Sequence, residues 1–465
     1  MKRLFILALI GLFTFSTIGP AGAENGALKL PPFKKIRLNN GLTLLLMEQH
    51  EVPIISFHFI LSAGSAGDPA GKEGTASATA ALLRKGTKSR SADQISNELD
   101  FVGGELGADA TFDYSNGTAE FVKKDIARGL DLLADVVLNP TFPQNEVIKL
   151  LKQRVDEVKA AKDQAQAVIG NYFRAYLYGS HPYGRPTSGD EKSIAAITRD
   201  DVVKFYQTHY TPGNTTIAVV GDFDIAEMER TLTSRFGGWK APAETGVRRI
   251  EAPAFVGKKL LLVDKPDSTQ TFFQIGNLGI ARTNPDRVFV QVINTLFGGR
   301  FTSMLNTELR IKTGLTYGAR SSFIQHQTPG PFVISTYTRN ETTEKAIDMT
   351  LEILKRLHEN GVTEEDLKSA KTYLKGQFPP TIETSDQLAE LLVQLEFYGL
   401  DASDVNSYTT KIDSMTMADA QRVIKQYFPL ENLVFVLIGK AGEIESVAKK
   451  YASRIDKKSI GQVGF

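Results

Sequence analysis

The 465-residue sequence contains no cysteine, only six histidines and a single tryptophan. Without cysteine there is no disulfide framework, no thiolate metal site and no thiol nucleophile. The histidines are His50, His58, His181, His209, His326 and His358, and no two stand four apart. No pair of imidazoles can therefore grip a metal from one helix face. An excess of one charge is also missing: Lys plus Arg number 54 and Asp plus Glu 53. Setting aside the first 23 residues removes Lys2 and Arg3 and leaves 52 against 53. That balance offers no electrostatic footprint for nucleic acid or for an anionic membrane. No run beyond those residues is long and apolar enough to span a bilayer. A Gly-x-Ser-x-Gly elbow is absent. The stretch "FGGRFTSM", Phe297 to Met304, lacks the phosphate-loop pattern and reads as a helix–helix turn.

What is present begins with "MKRLFILALIGLFTFSTIGPAGAEN". Lys2 and Arg3 precede an apolar stretch, Leu4 to Phe15, and Ala21-Gly22-Ala23 offers a small-residue cleavage site. This predicts a signal peptide over 1–23 and an exported protein, with a periplasm favoured over simple secretion. The alternative, a retained N-terminal anchor, is disfavoured by the short apolar stretch.

The mature chain repeats itself. "TRDDVVKFYQTHYTPGNTTIAVVGD" starts at Thr198 and "TMADAQRVIKQYFPLENLVFVLIGK" at Thr416. Both open on a capping box, continue as an amphipathic helix, and end in an apolar strand and a glycine. Thr198 and Thr416, Asn214 and Asn432, and Gly221 and Gly439 are separated by one and the same offset. "GLTLLLMEQ" at Gly41 resembles "GKKLLLVDK" at Gly257, at nearly that offset again. Helical stretches over Thr75–Lys85 and Ala92–Phe101 have counterparts at Arg287–Phe297 and Thr302–Lys312. Two units of about 200 residues fit a duplicated domain and exceed any solenoid repeat. They span 24–240 and 258–465, joined by a Pro- and Gly-bearing linker over 241–257. Strand pairs such as "GGELGADATFDYS" and "NGTAEFVKK" are expected to join through Asn116-Gly117, a hairpin signal. The fold class is α+β, with helices packed on one face of a largely antiparallel sheet in each unit.

The stretch "ELRIKTGLTYGARS" sets Arg310 and Tyr317 seven residues apart across an expected helix end at Gly314, with extended chain after it. An arginine there complements the helix dipole and a strand tyrosine usually packs. The same two side chains can also converge on a substrate.

Taken with the duplication, "GGRFTSMLNTELRIKTGLTYGARSSF" and "SHPYGRPTSGD" make the chain resemble the pitrilysin-type metallopeptidases. That family includes insulin-degrading enzyme and the mitochondrial processing peptidase, and the resemblance covers essentially the whole mature chain. Active members carry His-x-x-Glu-His on a helix of the first domain, where two imidazoles bind zinc and the Glu works on water. The matching positions here are Ser77, Ala80 and Ala81 in "GTASATAALLRKGT". The third ligand of the family falls, by gapless counting from Ala81, on Glu157, which reads equally as a solvated helix residue. The resemblance thus implies a chain with no metal or other cofactor of its own.

It also implies roles for what is retained. Arg310 and Tyr317 match a family pair that faces the zinc site and contacts substrate and transition state. Gly107, Ala108, Asp109 and Ala110 match a sheet edge to which an extended peptide adds as a strand. An ordinary hairpin strand is the equal alternative. Some family members are two-chain enzymes in which one subunit supplies zinc and the other the Arg/Tyr pair. The expected partner is a homologous zinc-binding subunit, in a heterodimer or higher heteromer, acting on peptides or unfolded segments. The rival expectation is an inert scaffold or peptide-binding member of the family.

Overall fold

The computed structural model describes residues 29–240 and 251–465. The expected signal peptide over 1–23 and most of the expected linker lie outside the described residues.

Two six-stranded sheets organise the chain. The first is built from β1 (Lys34–Arg37), β2 (Thr43–Glu48), β3 (Ile54–Leu61), β4 (Glu105–Ala110), β5 (Ser115–Val122) and β6 (Thr215–Gly221). The second is built from β7 (Lys259–Asp264), β8 (Gln270–Leu278), β9 (Arg320–Phe323), β10 (Pro331–Arg339), β11 (Val434–Gly439) and β12 (Arg454–Ser459). Their orders are β1-β2-β6-β3-β5-β4 and β12-β7-β11-β8-β10-β9. Five strands correspond one to one, and the sixth place is filled from opposite ends of the chain. Four of the five strand pairs in the first sheet are antiparallel, against three of five in the second. The fold is α+β, with mixed sheets.

The duplication extends to single hydrogen bonds. Gln49 N donates to Gly221 O at 2.8 Å, and Lys265 N donates to Gly439 O at the same 2.8 Å. Thr198 with Asp201 and Thr416 with Asp419 form complete capping boxes. Each satisfies helix N–H groups that would otherwise lack partners.

β2, β6 and β11 are nearly continuous runs of buried residues, so both faces of each sheet must be covered. Each unit's own helices cover one face. The other face is covered by a helix from the opposite unit. Helix Ser385–Tyr398 sets Leu388, Leu392 and Val393 against Leu45, Met47, Ile60 and Val220 of the first sheet. Helix Ala165–Tyr178 sets Val168, Ile169 and Phe173 against Val263, Val333, Val434 and Ile438 of the second. Each fully buried aliphatic or aromatic side chain contributes about 1.5–3 kcal/mol of transfer free energy. His58 Nε2, on β3, lies 2.6 Å from Asp386 Oδ1, adding a polar tie across the same contact.

The β4–β5 hairpin turns elsewhere than expected. Thr111 N donates to Tyr114 O at 2.8 Å, so Phe112 and Asp113 form the turn. Asn116 and Gly117 lie inside β5, opposite Asp109 and Ala108. Gly117 is needed for space: a Cβ there would stand 1.9 Å from the Phe59 ring. Asp113 ties the turn down by accepting from Tyr183 Oη and from Gln327 N, the latter at 2.9 Å and in the second unit.

Candidate functional site

In the first unit, helix Thr75–Leu82 carries Ser77, Ala80 and Ala81. Its N-terminus is held by the buried Asp68 carboxylate, which accepts from Gly74 N at 2.7 Å and Ala76 N at 2.8 Å. Burial pushes the Asp68 carboxyl up to about 7, against the two N–H donors that favour its charge. Ser77 Oγ donates to Asp109 Oδ1 at 2.6 Å, joining the helix to the sheet edge. Ala80 is buried and Ala81 half-buried.

The residue that dominates this place is Arg154, on helix Gln144–Ala161. Its Nη2 donates to Ser77 O at 3.2 Å, and its Nη1 is buried without a hydrogen-bond partner. Desolvation pulls the guanidinium below its ordinary range, with Asp109 and Glu157 acting in the opposite direction. Glu157 itself is exposed and accepts from Gln153 Nε2 at 2.8 Å, one turn back on its own helix. A fixed positive charge thus stands among the positions that would have to hold a cation. The donor set is a serine hydroxyl, two carboxylates and no imidazole, which does not suit zinc. Among the described residues, no group of three or more His, Asp or Glu side chains could hold a metal ion. Arg154 was missed in the sequence, although it precedes Glu157 by three residues and shares its helix face.

β4 is the outer strand of the first sheet. Gly107, Ala108, Asp109 and Ala110 lie on it, and the edge is partly occupied. Arg84 Nη1 donates to Leu106 O at 2.8 Å, and Ala110 N donates to Asp109 Oδ1 at 2.8 Å.

In the second unit Arg310 lies in a π-helical turn, Thr307–Lys312. Leu309 O accepts from both Leu315 N and Thr316 N, at 2.9 and 3.3 Å. Gly314, with φ of 63°, ends the turn in the left-handed region. π-helical turns of this kind recur at functional sites. Tyr317 lies in a loop, not on the expected extended strand, which begins only at Arg320. The reason is that side chains replace ladder partners. Thr336 Oγ1 donates to Gly318 O at 2.9 Å and Thr338 Oγ1 to Leu315 O at 2.7 Å. They hold the loop beside β10 while leaving Tyr317 79% exposed. Gly298 lets the preceding helix end approach β9, since a Cβ there would meet Ser321 N at 2.4 Å.

Arg310 and Tyr317 line one cleft of about 470 Å3. Gln166 and Ile169, from the helix lent by the first unit, form part of its wall. The Arg310 guanidinium stands 4.8 Å from the Phe301 ring centroid, a cation–π contact that steadies it and leaves its N–H donors unused. None of Ser77, Ala80, Ala81, Asp109 and Glu157 lines this cleft.

Two models of one peptidase family match consecutive parts of the chain. "Insulinase (Peptidase family M16)" covers residues 44–191, and "Peptidase M16 inactive domain" covers residues 196–374. The chain belongs to the M16, pitrilysin-type, peptidase family. Residues 196–374 match that family's inactive domain, and the chain has no His-x-x-Glu-His motif. An uncharacterized zinc protease of Rickettsia bellii is 27% identical over 348 residues, covering 74% of this chain and 82% of that protein. The uncharacterized zinc protease ML0855 of Mycobacterium leprae is 27% identical over 410 residues, covering 87% and 91%. The crystal structure of a peptidase M16 inactive domain from Pseudomonas fluorescens superposes with a TM-score of 0.82 at 27% identity, covering 88% of this chain and 98% of that one. A protease from Helicobacter pylori shares the M16 fold, with a TM-score of 0.83 at 22% identity over 88% and 100% of the two chains.

Proposed function

We propose that this chain is the zinc-free subunit of a two-chain peptidase of the periplasm, working with an exported homologue that carries His-x-x-Glu-His. The observation that carries the reading is the exposed, unpaired Arg310/Tyr317 couple in an open cleft, in a chain whose own ligand positions hold Ser77, Ala80 and Ala81. A buried scaffold residue would have its polar atoms satisfied within the chain; these two present theirs outward.

The roles follow from the chemistry. Attack of water on a peptide carbonyl builds negative charge on the carbonyl oxygen. The Tyr317 hydroxyl donates a hydrogen bond to that oxygen, an interaction that strengthens as the charge develops. Arg310 donates from its planar fork to substrate backbone carbonyls and fixes the register of the peptide. The metal, and the water it activates, belong to the partner. Substrates are peptides or unfolded segments.

The test is to purify the mature chain and an exported homologue from the same organism that carries His-x-x-Glu-His, and to measure complex formation by size exclusion and peptide cleavage for each alone and both together. Cleavage that needs both chains is expected. A complex whose cleavage equals that of the homologue alone would leave an inert peptide-binding or scaffold role instead.

A further inference from the structure

The cleft around Arg310 and Tyr317 has a charge pattern that the pair alone does not require. Arg300 and Arg320 line it together with Arg310, and no aspartate or glutamate does. No described carboxylate ion-pairs with any of the three. The acid nearest in sequence, Glu308, is turned away to Lys312 at 3.1 Å and Arg356 at 2.9 Å. Arg310 and Arg320 are exposed. Arg300 is half-buried, gives Nη1 to Ser369 Oγ at 3.0 Å, and keeps a buried Nε with no partner. Tyr317, Tyr337 and Tyr373 supply hydroxyls on the same walls.

This concentration is not a by-product of a basic chain, because the protein is nearly neutral. Its charges are segregated instead. A cavity of about 780 Å3 between the first sheet and helix Ser385–Tyr398 has the opposite lining: Glu51, Glu105, Glu120, Glu383, Asp386 and Glu390. Three guanidiniums without counter-ions repel one another at some cost, and a concave wall concentrates their field. An anionic ligand relieves that repulsion. Planar forks beside tyrosine hydroxyls match carboxylates in particular, which accept two parallel N–H bonds from one arginine.

We infer that this cleft selects acidic peptide segments, with Arg300 and Arg320 binding side-chain carboxylates on the residues that flank the bond presented to Tyr317. The inference rests on the reading that Arg310 and Tyr317 touch substrate, and it adds the substrate class. Arg300 and Arg320 are specificity residues here.

The probes are fluorescein-labelled decapeptides of alternating Ala and Glu, Ala and Gln, and Ala and Lys, titrated with the mature chain and followed by fluorescence anisotropy. The Ala–Glu peptide is expected to bind at least about tenfold more tightly than Ala–Gln at low ionic strength, the margin shrinking as salt is added. Arg320→Gln should cost the Ala–Glu peptide about three- to tenfold and leave Ala–Gln unchanged, with the melting temperature intact because Arg320 is exposed on an edge strand. Equal affinity for all three peptides, binding by none, or an unaltered preference in a folded Arg300→Gln/Arg320→Gln chain overturns the inference. Cleavage by the reconstituted pair separates this from the function above. Tyr317-dependent cleavage with no charge preference removes the acidic specificity and leaves the subunit role standing. Preferential binding of Ala–Glu without any cleavage does the reverse.

Discussion

The two units share a sheet order, matching caps and matching single hydrogen bonds, yet each disposes of the polar side chains at its own candidate site in the opposite way. In the first unit three polar side chains at the helix Thr75–Leu82 are turned inward, while Glu157 stays exposed. Ser77 holds Asp109, Asp68 holds the helix start, and Arg154 fills the remaining space. In the second unit Arg310 and Tyr317 make no side-chain hydrogen bond or ion pair among the described residues, Arg310 resting only on the Phe301 ring, and both face a cleft. A duplicated fold can thus close one site and keep the other open without altering its strand order. The difference lies in which side chains satisfy one another.

The largest test of that contrast is catalytic. In the reconstituted pair, Tyr317→Phe should lower kcat toward the range of about 10²–10³-fold seen when one oxyanion donor is removed. Arg310→Ala should lower kcat/KM with part of the loss in KM. Ser77→Ala, in the closed site, should leave both constants within about twofold, because its hydroxyl is spent on Asp109. Steady-state kinetics on complexes of confirmed size would settle the matter. Equal effects from both units would erase the distinction.

The next asks whether the closed site can be reopened. Restoring ligands by Ser77→His, Ala80→Glu and Ala81→His leaves the Arg154 charge in place, so zinc uptake should remain weak. Adding Arg154→Gln should tighten zinc binding by at least about tenfold, as like-charge repulsion is removed. Competition with a chromophoric chelator measures this. A following Glu157→Gln should weaken binding again if that carboxylate turns inward as a ligand; an unchanged affinity would show that it stays on the surface.

A smaller effect concerns packing. Facing strands pair Phe59 with Gly117 in the first sheet and Ile275 with Ile334 in the second. One unit fills the layer with a large and a small residue, the other with two of middle size. Gly117→Ala should cost about 1–3 kcal/mol by overpacking, and Phe59→Leu in that background should recover part of it. Urea denaturation at constant m-value is the measurement.

A further effect is in pH. The folded Asp68 carboxyl sits at about 7 against an ordinary 3.8. The folded chain therefore binds more protons than the unfolded chain between those values. The stability due to this group is complete below about 4 and is lost as pH rises through about 7. Asp68→Asn should flatten the stability profile across that window. A variant profile parallel to the wild type would refute the assignment.

These contrasts were only partly legible in the sequence. The repeat could be read because caps and buried strands are local patterns, and Thr198, Thr416 and the apolar runs after them fell where expected. Arg310 and Tyr317 stood out through the family resemblance, their seven-residue spacing being ambiguous by itself, and both line one cleft. The Asn116-Gly117 turn misled because a glycine serves a turn or a tight contact equally well, and only the position of Phe59 decides. Tyr317 was placed on a strand because hydroxyl-to-carbonyl bonds from Thr336 and Thr338 leave no trace in the loop's own residues. Arg154 reads as one more charge on a polar helix, and its burial depends on the helix Thr75–Leu82, far earlier in the chain. The crossed helices could not be read at all. An amphipathic helix states that it has an apolar face, not whose sheet it will cover.

That crossing has a consequence for how the molecule can come apart. Had the two units been separate polypeptides, each lending a helix to the other, the contact would have the logic of an isologous dimer with swapped segments. Joined in one chain, they remain mutual chaperones of each other's sheets. Cutting between 240 and 251 and separating the halves would strip a covering helix from each and leave two apolar sheet faces in water, adhesive and prone to re-pair. The intact chain should therefore melt in one step rather than two, with calorimetric and van't Hoff enthalpies in agreement, and the halves should regain solubility only when expressed together.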